Sequence, residues 1–154
     1  MSNAVDPMRS WFQGIDIISS GLRLDMQRAD IVAANLGNML STGNASHPPY
    51  RRKTLEFAEV LDGIDSLNGV AGGERLAAGV APTRVVEDTS DFPKFLQPGH
   101  KDAGPDGFVW TSNVDLFQEL VDMTAIERSF EANLQAMRTY RQMLQNSIQA
   151  MGRS

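Results

Sequence analysis

The stretch that decides the fold is N113-V-D-L-F-Q-E-L-V-D-M-T-A-I-E-R-S-F-E-A-N-L-Q-A-M-R-T-Y-R-Q-M-L-Q-N-S-I-Q-A-M151. It contains no proline and no glycine; Gly152 follows immediately. Leu116, Leu120, Met123, Phe130, Leu134, Met137, Leu144, Ile148 and Met151 recur in steps of three and four. That heptad-like period predicts one long amphipathic helix, interrupted on its stripe only by Glu127 and Arg141. Asn113 or Asp115 can cap its start, where a carboxylate also suits the helix dipole. At 1.5 Å per residue the helix would run on the order of 55 Å, which asks for a partner of similar length. Almost opposite, about 200° round from Leu134, lies a second line: Val121, Ala125, Ala132, Ala136, Met143 and Ala150. Alanine is a good helix former anywhere, but propensity alone does not align residues on one face. The alternative is a helix buried on two sides, with small residues admitting another backbone.

Working back from this helix, a second periodic segment occupies Trp11 to Leu40. Trp11, Ile15, Ile18, Leu22, Met26, Ala29, Ala33, Leu36 and Leu40 fall within about 40° of one line on a helical wheel. Ser10 can cap it, and Ser41-Thr42-Gly43-Asn44 ends it with turn formers. Ile17, Leu24 and Ile31 form a far-side line spaced by sevens. Neither helix is rich in stabilising charge pairs; Glu127 and Glu131 are like charges at i, i+4. Such helices depend on packing rather than on their own propensity.

Between the two, the texture changes. Ala45 to Pro49 is a proline-containing loop, and Tyr50 to Leu61 alternates in part like a strand. Residues 63–79 are glycine-rich and read as a flexible loop. Val80–Val86 and Phe92–Leu96 read as short strands that Pro82 and Pro93 confine to edges. Pro98-Gly99 and Pro105-Asp106-Gly107 mark turns, and Phe108–Thr111 is a last strand. The expected fold is mainly α: two long terminal helices paired as an antiparallel coiled coil around a small glycine-rich antiparallel β insert. The expected divisions are a flexible leader over 1–10, an N-terminal helix over 11–44, the β insert over 45–112 and a C-terminal helix over 113–154.

Composition narrows the chemistry. Fourteen Lys and Arg against nineteen Asp and Glu give a net charge of −5. That balance argues against nucleic acid or an anionic membrane surface, and Arg51-Arg52-Lys53 is too short a basic run to reverse it. Without cysteine, disulfides and thiolate metal sites are excluded. No apolar run approaches a membrane span, and no signal-peptide core follows Met8-Arg9. His47 and His100 sit beside turns, with no third ligand at metal-like spacing. Gly69-Val70-Ala71-Gly72-Gly73 lacks the glycine order and the flanking strand and helix of a phosphate cradle. Asp62, Asp65, Glu87, Asp88 and Asp91 form acidic loop clusters that nothing places in a pocket. No catalytic residue, cofactor or metal ligand is expected, and the chain does not read as an enzyme.

Ser20-Gly21-Leu22 and Ala33-Ala34-Asn35-Leu36-Gly37-Asn38 resemble the N-terminal signature of the flagellar rod and hook axial proteins, with Gly37 where alanine is usual. Asn113-Val114-Asp115, Glu119-Leu120-Val121-Asp122-Met123 and Arg128-Ser129-Phe130-Glu131-Ala132-Asn133 resemble the matching C-terminal signature, with Phe130 where tyrosine is common. The short middle section narrows the resemblance. Pro49-Tyr50-Arg51-Arg52-Lys53, Val85-Val86-Glu87-Asp88 and Pro98-Gly99-His100 leading to Gly107-Phe108-Val109 are similar to the FlgC-type, proximal-rod branch. Little in 69–78 matches.

The resemblance implies a structural subunit of the rod that crosses the periplasm, exported by the flagellar type III apparatus without a cleaved signal. It implies packing with copies of itself, with FlgB and FlgF, and with the adaptor FliE at the membrane-embedded ring. Asn35, Asn38, Asn113, Asp115 and Asn133 are its motif residues. On this reading Ile15, Ile18, Leu22, Leu36, Leu120, Met123, Phe130, Leu134, Met137, Leu144 and Ile148 form a seam within the subunit. Ile17, Leu24, Ile31, Val121, Ala125, Ala132, Ala136 and Met143 would meet other subunits. A soluble coiled-coil adaptor or chaperone of a type III export system is the competing reading; it accounts for the helices but not for the ordered motifs.

Overall fold

The structure is a computed structural model that describes residues 7–62 and 76–152, with side chains over 13–59 and 79–152. The element order is α1 (Pro7–Asn38), β1 (Thr42–Gly43), β2 (Lys53–Asp62), β3 (Leu76–Glu87), β4 (Lys94–Leu96), β5 (Phe108–Thr111) and α2 (Leu116–Met151). Helix α1 starts earlier than Ser10, at a proline whose fixed φ suits the first helical position. Residues 1–6 of the expected leader, and 63–75 of the glycine-rich loop, lie outside the described residues. Asp115 caps α2: its Oδ1 accepts from Phe117 N at 2.8 Å and Gln118 N at 3.3 Å, two of the amides a helix start leaves unpaired.

The architecture corrects the expected fold. Two helices are joined by two antiparallel sheets, and the helices do not form a coiled coil around a small insert. Strands β2 and β3, of 10 and 12 residues, make a two-stranded sheet. The other sheet has the order β1-β5-β4. In it Thr42 pairs with Thr111, and Lys94, Phe95 and Leu96 pair with Trp110, Val109 and Phe108. Strand β1 falls where turn residues were expected to end a helix, because α1 stops at Asn38 and the chain turns to pair beside β5. Pro82 sits in β3, which in a two-stranded sheet has a free edge to spare the missing donor.

The physical reason that the coiled coil fails is visible where the helices meet. Several of the contacts there are polar or glycine-mediated. Asp25 accepts from Ser129 Oγ at 2.9 Å and from Asn133 Nδ2 at 3.0 Å. A Cβ on Gly14 would stand 2.5 Å from the Tyr140 ring, and one on Gly21 would stand 3.1 Å from Asn133 Nδ2. Knobs-into-holes packing needs large apolar side chains at these sites.

The chain divides into two compact units. One comprises 1–25, 57–83 and 127–154. Within it Leu24 is buried, and Ser20 Oγ accepts from Val80 N at 3.0 Å. Beside that bond Gly79 holds φ +118°, and a Cβ there would collide with Ser20 Oγ. The other unit comprises 26–56 and 84–126. Val32, Phe92, Val109 and Ile126 are its buried apolar residues, alongside buried Asn35, Arg52, Ser112 and Glu119. So thin an apolar core leaves much of the specificity to polar bonds.

Candidate functional site

Asn35, on the last turns of α1, is 1% exposed and uses all four of its hydrogen-bonding positions. Its Nδ2 donates to Lys53 O at 2.9 Å and to Glu119 Oε2 at 3.1 Å. Its Oδ1 accepts from Lys53 N at 2.9 Å and from the Tyr50 hydroxyl at 3.0 Å. An asparagine side chain here mimics a strand partner for the start of β2.

Arg52 extends this network to α2. Its Nε donates to Glu119 Oε1 at 2.6 Å and its Nη2 to Asp122 Oδ2 at 2.8 Å. Glu119 is wholly buried, at 0% exposure. A carboxylate that is removed from water must be paired and hydrogen-bonded, and Arg52 with Asn35 supplies both. Glu119 and Asp122 lie three apart on α2, so both face one guanidinium. The backbone of Arg52 is also fixed: its N–H donates to Asn113 Oδ1 at 2.8 Å, and its carbonyl accepts from Asp88 N at 2.8 Å. Asn113 Nδ2 reaches Ser90 Oγ at 2.9 Å and Asp88 O at 3.3 Å. Asn35 and Asn113 are thus the two ends of one polar lock, joined through Arg52.

Electrostatics follow from this geometry. Burial, then the nearby Glu119 and Glu87 carboxylates, push the Tyr50 phenol up. Hydrogen bonds from the Ser90 amide and then its hydroxyl hold the Asp88 carboxyl below its ordinary range, with Arg52 and Arg51 adding to the effect. Next to the lock, the Arg51 guanidinium lies 4.2 Å from the centre of the Phe92 ring. Phe92 stacks on Trp110 at 6.0 Å, and Lys94 Nζ sits 4.7 Å above Trp110. This ladder of cations and rings ties β4 and β5 to the segment before β2.

Of the other motif residues, Asn133 bonds to Asp25, Asp115 caps α2, and Asn38 Nδ2 turns back to Ala34 O on its own helix at 2.7 Å. Nothing in this arrangement resembles a nucleophile with a base. Among the described residues no group of three His, Asp or Glu side chains could hold a metal ion. His100 Nδ1 accepts from Asp102 N at 3.2 Å, and His47 lies exposed in a loop.

The family described as "Flagellar basal body rod FlgEFG protein C-terminal" matches residues 106–150. The "Flagellar basal-body rod protein FlgC" of Bacillus subtilis is 32% identical over 144 residues, covering 90% of this chain and 96% of that protein. The protein of the same name in Agrobacterium fabrum is 36% identical over 133 residues, covering 86% and 88%. That of Salmonella typhimurium is 29% identical, covering 86% and 92%. The chain belongs to the FlgC family of flagellar basal-body rod proteins. It is a structural rod subunit of the flagellar basal body, and this family is not one of enzymes.

For a FlgC-family subunit, what the protomer leaves uncovered matters as much as its lock. Val121, at 68% exposed, stands clear on α2 with Ala125, Ala132, Ala136 and Met143. Ile17 is also exposed and Ile31 half-buried, whereas Leu24 is buried within the protomer at 6%. Ile15, Ile18, Leu22, Leu36, Met123, Phe130, Leu134, Met137 and Leu144 are half-buried, while Leu120 and Ile148 are 49% and 59% exposed. Phe117 at 78% and Leu40 at 82% are the most exposed large hydrophobics described.

Sequence reasoning placed Arg52, Glu119 and Asp122 in family motifs but did not bring them together as one buried cluster. Beyond those motifs the signal was the spacing of two carboxylates on one helix face, and their basic partner lies 67 residues away from Glu119.

Proposed function

We propose that this FlgC-family chain builds the proximal part of the rod as a non-catalytic part of the drive shaft across the periplasm, reaching it through the flagellar type III apparatus without a cleaved signal. Its neighbours would be further copies, FlgB, FlgF and the adaptor FliE. Residues 11–44 and 113–154 supply the rod-forming surfaces, and 45–112 braces them. The carrying observation is the contrast between a satisfied polar lock and bare apolar side chains along α2. A monomer rarely leaves large apolar surface open unless a partner covers it. The half-buried set from Ile15 to Leu144 serves the protomer, and Val121, Ala125, Ala132, Ala136, Met143, Ile17 and Ile31 serve neighbours.

The test is fractionation of a strain that carries a tagged chain. It should purify with detergent-extracted basal bodies, appear there at its unprocessed mass, and be retained in the cell when type III export is blocked. Recovery only in the soluble fraction, with basal bodies complete without it, would contradict the reading.

A further inference from the structure

Among the described residues nothing calls for glycine at Gly37. It lies in a helix, where glycine is the poorest residue after proline. It does not adopt positive φ, so it is no left-handed cap. A Cβ built on it would meet nothing within 4 Å among the described residues. Ala33, Ala34 and Gly37 form an exposed strip of small residues on α1, and exposed Asp30 extends it at helical spacing. An exposed strip on α2 runs Val121, Ala125, Arg128. The side chains of Asp30 and Arg128 take part in none of the ion pairs among the described residues.

The two strips match in antiparallel register. Asp30 and Gly37 are seven residues apart, as are Val121 and Arg128, so both pairs span about 10 Å along a helix. With Val121 over Gly37, Ala125 falls on Ala33 and Arg128 meets Asp30. The bulky residue lands where a Cβ is lacking, and opposite charges coincide.

Resting on the rod-subunit reading, we propose that the Asp30–Gly37 face of α1 in one copy receives the Val121–Arg128 face of α2 from a second copy. The faces differ, so the contact is head-to-tail and leaves an unused copy of each at the ends. Such a contact continues into a ring or a helix instead of closing as a dimer.

The absence of cysteine allows a clean test. A chain carrying Gly37→Cys and Val121→Cys replaces the natural copy, and isolated basal bodies are oxidised with diamide. The expected product is a reducible ladder of dimers and higher multiples, absent from either single-cysteine chain. In a second arm, Asp30→Arg or Arg128→Asp alone lowers incorporation several-fold, and the two exchanges together restore it. Three results overturn the inference: no ladder from basal bodies that do contain the double-cysteine chain; adducts only with a different protein; or single charge reversals that incorporate normally. If even the unmodified chain is missing from basal bodies, the rod reading itself has failed.

Discussion

Arg52 and Glu119 carry the protomer at the scale of single residues. Removing one partner of a buried ion pair strands the other, which typically costs about 3–5 kcal/mol. Arg52→Ala should therefore lower the unfolding free energy by about that much in urea denaturation, whereas Arg52→Met combined with Glu119→Leu should lose less, because no fully buried charge is stranded and the remaining cost is the Asn35 amide and Asp122 left without their partners. Equal losses in the single and double variants would mean that the pair is not buried as described. Asn35→Ala unpairs groups on Lys53, Tyr50 and Glu119, at about 1–3 kcal/mol for each that water cannot reach. Of this site, Asn35 and Asn113 were legible because they sit in family motifs. Arg52 sits in a motif as well, but its burial was not legible, because Arg51-Arg52-Lys53 reads only as a short basic run. Burial of a charge is decided by a partner distant in sequence, which no local pattern records.

The elements were legible to different degrees for physical reasons. Both helices and strand β5 announce themselves by apolar period, and Asp115 by cap chemistry. Asp115→Ala should remove about 1 kcal/mol, measured in the same denaturation series. Strand β1 is two residues long and exists only because β5 offers it an edge, so Thr42-Gly43 reads locally as a turn. The coiled-coil expectation came from treating the period as sufficient. Asp25, Asn35, Ser129 and Asn133 sit at the helix contacts and replace apolar packing with hydrogen bonds. The turn after β3 carries a pH dependence. Asp88 is more acidic folded than unfolded, so its contribution to stability is present above the unfolded value of about 3.9 and is lost as pH falls through the lower folded value. Asp88→Asn should thus flatten the acid limb of a stability-against-pH curve; an unchanged limb would remove Asp88 from the account.

For the whole molecule, stability and assembly reside in different residues. The lock joins the end of α1, the start of β2 and the start of α2 within one unit, while Phe117, Val121 and Met143 stay 78%, 68% and 60% exposed. Exposed substitutions away from caps and networks usually change stability by less than about 0.5 kcal/mol. Assembly at a repeated contact magnifies the same change, since every subunit carries it. The most direct measurement is a paired one on Val121→Lys: the urea unfolding midpoint of the purified chain, and the amount of that chain in basal bodies from a strain lacking the natural copy. The account predicts an unchanged midpoint with basal-body incorporation and motility lost. Normal incorporation and swimming with Val121→Lys would contradict it.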